Sequence, residues 1–150
     1  MKERFRTFTV LITKINRAIK KIKTEEMEEY DLKSPHVSCL YYLYNQKNLT
    51  ATELVDICQE DKAAISRSIE YLEGNGYIEC DSSMKKRYNS AFKLTQKGSK
   101  IAKGIANKID NILDLASEGV SEDKRQVMYE CLNLISNNLD KVCEKYEGEK

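Results

Sequence analysis

Apolar residues recur along this chain with the period of a helix almost everywhere, and the period drops to two in only one short stretch. Phe8, Ile12, Ile15, Ile19 and Ile22 are spaced four, three, four, three, with Phe5 and Leu11 widening the seam, so the spacing predicts a long first helix built to pack against another helix. Val37, Leu40, Tyr41 and Tyr44 give a second buried stripe, Leu54 and Ile57 a short third, and Ile65, Ile69 and Leu72 a fourth. Between Tyr77 and Leu94 the pattern alternates instead. Ile78 and Cys80 face one way against Tyr77, Glu79 and Asp81, and Phe92 and Leu94 answer them against Ala91 and Lys93, which predicts an antiparallel hairpin. Helical spacing then returns in Ile101, Ile105, Ile109, Ile112 and Ala116, and again in Val127, Cys131, Leu134, Ile135, Leu139, Val142 and Tyr146. The fold class is therefore mainly α with a small antiparallel β-hairpin.

Capping residues set the boundaries. Ser34-Pro35 reads as a cap followed by a proline at the first helical position, after an acidic linker, TEEMEEYDLK. Asn45 to Asn48 ends that helix. Thr50-Ala51-Thr52-Glu53 is a capping box, Gln59-Glu60-Asp61 makes a tight turn in which Asp61 can cap the next helix, and Asn75-Gly76 stops it. Thr95 is placed to cap the helix after the hairpin, Gly119 ends it, and Ser121 with Glu122 and Asp123 opens the last one. The order helix, turn, helix, hairpin across Leu49 to Thr95 is that of a winged helix-turn-helix, a unit suited to duplex DNA. On its second helix Lys62 lies near phosphate, Ala63 and Ala64 allow close approach, and Ser66 and Arg67 face base edges, with Glu70 orienting Arg67 or accepting from cytosine. The hairpin loop, Ser82 to Asn89, is too long for a two-residue turn and carries Lys85, Lys86 and Arg87, a basic finger for the phosphate backbone. Lys93, Lys97, Lys100 and Lys103 extend the same positive region.

Three segments in this order, LTATELV, DKAAISRSIEYLEGNGYI and LTQKG, with helical arms on both sides, resemble the MarR (multiple antibiotic resistance regulator) family over essentially the whole chain. The wing departs from the family pattern: Lys85 stands where an Asp usually precedes the wing Arg by two residues. The resemblance implies one domain over 1–150, with the winged helix-turn-helix in 34–95 and dimerisation arms in 1–33 and 96–150. It implies a homodimeric repressor whose two recognition helices meet a palindromic operator with half-sites about 10 bp apart. It also implies a small aromatic effector in a cleft lined by Tyr30, His36, Tyr41 and Tyr44.

Composition narrows the alternatives. The net charge is +1, yet residues 1–23 hold eight Lys and Arg against one Glu, while residues 110–150 hold ten acids against five bases. A basic amphipathic first helix could lie on a membrane surface, but the acidic C-terminal arm gives it a counterpart within the protein, and no segment approaches the ~20 apolar residues of a membrane span. The five cysteines include no CxxC pair and point to a reducing cytoplasm. They are read as packing residues, so mild peroxide should leave DNA affinity unchanged. His36, three residues before Cys39, is half a metal site at best and is read as structural. No Gly-rich phosphate loop, carboxylate pair with His or nucleophile arrangement supports an enzyme, and no cofactor is expected. The rival reading is a winged-helix module that docks on protein and no longer reads DNA.

Overall fold

The computed structural model describes residues 2–80 and 90–147. Its elements run α1 (Lys2–Glu25), a 3₁₀ turn (Glu28–Tyr30), α2 (Ser34–Gln46), α3 (Ala51–Cys58), α4 (Lys62–Gly74), β1 (Ile78–Cys80), β2 (Phe92–Leu94), α5 (Gln96–Ala116) and α6 (Glu122–Glu147). The chain divides into two compact units, Met1–Ile109 and Asp110–Lys150.

In the first unit the core forms where α2, α3 and α4 pack together under the hairpin. Val37, Leu40 and Leu43 of α2, Leu54 of α3, and Ile65, Ile69 and Leu72 of α4 are buried, and Ile78, Phe92, Ala102 and Ile105 close the cluster. The period-two reading holds in the strands: Ile78 pairs with Leu94, Glu79 with Lys93 and Cys80 with Phe92. A third short segment joins them, because Leu49 and Phe92 exchange backbone hydrogen bonds of 3.2 and 2.8 Å. The link between α2 and α3 is thereby fixed to the hairpin.

Three expectations need correction. TEEMEEYDLK is not a plain linker, since it contains the 3₁₀ turn and places Met27 and Leu32 in the core. Ser34 does not cap α2. It lies inside the first turn, and the Lys33 amide that precedes it donates to His36 Nδ1 at 3.0 Å, so an imidazole does the capping. Tyr44, expected in the buried stripe, is exposed, because the stripe turns away from the core after Leu43.

Thr95 carries more than its cap. Its hydroxyl accepts from the Gly98 amide at 3.0 Å and donates toward the carbonyls of Gly76 at 2.7 Å and Tyr77 at 3.2 Å, while its own amide donates to Tyr77 O at 3.1 Å. Gly98 is what lets α5 approach so closely: a Cβ there would lie 1.8 Å from Tyr77 O. Among the described residues three non-glycine residues sit at positive φ, Asp31 and Gln59 at 53° and Lys47 at 69°, each where one element ends.

In the second unit α5 ends in a turn in which Val120 N donates to Ser117 O at 2.9 Å and Gly119 takes φ 81°. An Arg125–Glu122 ion pair then brackets the first turn of α6.

Substitution of Gly98 by Ala must displace a backbone carbonyl, so G98A should cost on the order of 1–3 kcal/mol and lower the thermal midpoint by several degrees. Gly104→Ala is the internal control. The nearest atom to a Cβ there is the Tyr30 hydroxyl at 4.0 Å, so helix propensity should make that change neutral or mildly stabilising. Circular dichroism melts of the two variants check both.

Candidate nucleic-acid interface

The second helix of the helix-turn-helix is held from both ends. Asp61 Oδ1 accepts from the Ala64 amide at 2.8 Å and fixes its start, and Asn75 Nδ2 donates to Tyr71 O at 2.8 Å and fixes its end. The preceding helix is closed by the expected box: Glu53 N donates to Thr50 Oγ1 at 3.3 Å and Thr50 N to Glu53 Oε2 at 2.7 Å. The Thr50 amide first, and then the Thr50 hydroxyl, which donates to the same Oε2 at 2.9 Å, hold the Glu53 carboxyl below the usual range. Between the helices, Gln59 turns the chain in the left-handed conformation without a glycine.

With Ile65, Ser68, Ile69 and Leu72 buried, the opposite face of α4 is left to solvent, and it carries Lys62, Ala63, Ser66, Arg67 and Glu70. Ser68 satisfies its buried hydroxyl by donating to Ala64 O at 2.8 Å. Arg67 makes no ion pair with Glu70 among the described residues, so its guanidinium is not tied along the helix. Lys85, Lys86 and Arg87 lie outside the described residues.

The positive region after the hairpin is less free than its sequence suggests. Lys93 pairs across the strands with Glu79 at 3.3 Å. Lys97 donates to Asn75 O at 2.8 Å and lies 4.4 Å from the Tyr77 ring centroid, so it clamps the end of α4. Lys100 and Lys103 remain exposed on α5.

Each of the four aromatic and imidazole candidates for an effector cleft has its own neighbours among the described residues. Tyr30 lies under Lys108, whose ammonium is 5.7 Å from its ring centroid and 2.6 Å from Glu29 Oε1. His36 stacks on Tyr71 with centroids 4.3 Å apart and planes within 1°, Tyr41 meets Tyr42 edge-on at 5.3 Å, and Tyr44 is exposed. A concavity of about 550 Å³ lies elsewhere, between α3, α4 and β2. Val55, Ile65, Ile69 and Phe92 give it an apolar floor, and Thr52, Lys62, Ser66 and Glu70 a polar rim. No sequence signal marked it, because its walls come from three elements that meet only in the fold.

His36 and Tyr71 form the strut between α2 and α4. The Tyr71 hydroxyl donates to Asp31 O at 3.0 Å, and His36 Nδ1 accepts from Lys33 N, so α4 is tied to the chain entering α2. Burial, and then the positive charge of Lys33, lower the His36 pKa, with Asp31 opposing.

The family model described as winged helix DNA-binding domain matches residues 36–113. A relative in Bacillus subtilis (strain 168), the uncharacterized HTH-type transcriptional regulator YfiV, is 26% identical over 118 residues, which are 77% of this chain and 72% of the relative. Among solved structures, a putative MarR family transcriptional regulator from Listeria monocytogenes in complex with a 26-mer DNA is 25% identical, with a TM-score of 0.79 over 85% of each chain. NMB1585, a MarR family regulator from Neisseria meningitidis, is 17% identical but superposes with a TM-score of 0.82 over 95% of this chain and 97% of its own.

Protonation of His36 would remove the acceptor that caps α2. Because its pKa is lowered in the folded state, the unfolded chain takes up the proton first, so stability should be full above the unfolded value near 6.5 and fall as pH drops below it. Thermal midpoints between pH 7.5 and 5.5 should show that slope. His36→Gln, which keeps an acceptor but does not titrate there, should flatten it.

Proposed function

The chain belongs to the winged helix DNA-binding family and has the fold of its MarR regulators, and from that premise we propose that it is a homodimeric repressor that reads a palindromic operator through α4. The observation that carries this reading is the division of α4 into a fully buried apolar face and an exposed Lys62-Ala63-Ser66-Arg67-Glu70 face, with caps at both ends. Small Ala63 lets the helix enter a groove. Ser66 and Arg67 supply hydrogen-bonding groups at base height, and Lys62 stands near phosphate. Lys85, Lys86 and Arg87 of the wing extend the contact along the backbone.

The dimer is supported by apolar surface that a monomer would leave wet. On α1, Phe8, Ile12, Ile15 and Ile19 are exposed, and on α6 so are Val127, Leu134, Leu139 and Val142. Surface of this kind marks an interaction site. A second copy related by a twofold axis covers it and sets two α4 helices about one DNA turn apart, with half-sites about 10 bp from centre to centre.

For the effector, the concavity beside α4 offers a site in addition to the cleft expected at Tyr30, His36, Tyr41 and Tyr44. Its volume falls within the range of small-molecule pockets, about 300–1,000 Å³. Because Lys62, Ser66 and Glu70 form part of its rim, a ligand seated there would compete with the duplex, and titration of operator DNA should release it.

Binding sites selected from a random duplex pool should be palindromic. Arg67→Ala should then cost about 1–3 kcal/mol on the selected site and relax preference at one position per half-site, as read by titration against single-base variants. Arg87→Ala should weaken selected and unrelated duplexes alike and reduce the salt slope by about one unit. Equal losses on all duplexes for both variants would remove Arg67 from base reading. Light scattering checks the assembly: the full chain should be a dimer, and deletion of residues 1–23 should dissociate or aggregate it. An unchanged dimer would rule out α1 as part of the interface.

A further inference from the structure

Arg67 and Glu70 carry opposite charges three residues apart on the exposed face of α4, a spacing at which helical side chains can meet. Among the described residues they form no ion pair. Glu70 shares the rim of the concavity with Thr52, Ser66 and Lys62, above the apolar Val55, Ile69 and Phe92. Lys62, the cation of that group, stands eight residues back, about 12 Å along the helix axis. The carboxylate is therefore presented to solvent on the same surface as the guanidinium, and the two are separate groups rather than one neutral pair.

An acid in this place works against binding. Every phosphate of a duplex is an anion, so a carboxylate on the exposed face of α4 opposes all duplexes alike, whatever their sequence. Lys62 and Arg67 draw the helix toward DNA, and Glu70 holds it off. That penalty is relieved only where a base edge offers a hydrogen, because an ionised carboxylate accepts and does not donate. In the major groove the donors are cytosine N4 and adenine N6. Adenine N6 stands beside the acceptor N7 of the same base, which repels the second carboxylate oxygen, while guanine N7 and O6 and thymine O4 are themselves acceptors. Cytosine is the base that fits.

We propose that Glu70 is a second specificity-determining residue of α4, which accepts from cytosine N4 and penalises the other bases in that place. The assignment rests on the operator reading proposed above and deepens it. Helix geometry sets its position relative to Arg67. Three residues advance about 4.5 Å along the axis, close to the spacing of about 3.4 Å between base pairs. A guanine read by Arg67 and a cytosine read by Glu70 therefore lie in one base pair or in neighbouring ones. Selectivity then has two sources, a hydrogen bond made on the right sequence and a repulsion left unrelieved on the wrong ones. Removing the carboxylate strengthens the wrong complexes, which separates Glu70 from every basic residue of this surface.

The test compares the wild-type full chain with Glu70→Gln and Glu70→Ala, on duplexes selected from a random pool and on unrelated duplexes of equal length, at one salt concentration. A Gln carboxamide both donates and accepts, the pattern that matches adenine N6 and N7, so Glu70→Gln should change the preferred base at one position per half-site from cytosine to adenine. Glu70→Ala should lose preference at that position, bind unrelated duplexes several-fold more tightly, and cut the ratio of selected to unrelated affinity about tenfold. A gain of affinity is a result that a poorly folded variant does not give. The position affected should lie within one base-pair step of the one that Arg67→Ala relaxes.

A Glu70→Gln protein with the wild-type preference at every position would overturn the assignment. So would a Glu70→Ala protein that loses affinity evenly on all duplexes, the mark of a carboxylate that only holds a neighbouring cation in place. A changed preference several steps away from the Arg67 position would overturn the placement of the two contacts side by side. Wild-type protein that selects no duplex fails the operator reading itself and takes this assignment with it, whereas a selected site that Glu70 variants read unchanged fails the assignment alone.

Discussion

Everything that α4 can do depends on one knot of hydrogen bonds at its exit. Thr95, Gly76, Tyr77 and Gly98 bring the end of α4, the base of the hairpin and the start of α5 to a single point. A side-chain hydroxyl there serves as both acceptor and donor, and a missing Cβ lets the backbones meet. Lys97 adds a second clamp on the same turn through Asn75 O. The helix that faces solvent with Ser66 and Arg67 is therefore referenced to the hairpin and to α5, and the Leu49–Phe92 pairing carries the reference back to α2.

Most of the fold was legible because periodicity and capping report local physics. The buried sets of α4 and the hairpin follow the spacing of Ile65, Ile69, Leu72, Ile78 and Phe92, and the caps at Thr50, Asp61 and Thr95 form as their side chains dictate. The misses share a cause. His36 replaces Ser34 as the cap of α2 because an imidazole three residues on can reach the Lys33 amide, a geometry that no propensity encodes. Met27 and Leu32 enter the core from an acidic segment because two apolar side chains suffice when a 3₁₀ turn points both inward. The concavity beside α4 joins residues from different elements, and such a grouping exists only after the helices have packed.

Charge shows the same difference between inventory and placement. Four lysines downstream of the wing read as one cationic surface, yet Lys93 and Lys97 are engaged by Glu79 and Asn75. Lys108, which drew no notice in the sequence, bridges α5 to Glu26, just past α1, and to Glu29 of the 3₁₀ turn. Exposed pairs of this kind contribute little stability, but they decide which cations are left for phosphate.

Asp31, Lys47 and Gln59 hold the chain at positive φ, and each does so with a side chain that disfavours it by on the order of 1 kcal/mol relative to glycine. The three sites lie before α2, after α2 and after α3, and none is in α4 itself. Seen as a lineage would meet them, they are unspent reserves. A descendant that acquired glycine or asparagine at these positions could absorb destabilising changes on the solvent face of α4 that the present chain could not, and so could vary that face without losing its fold.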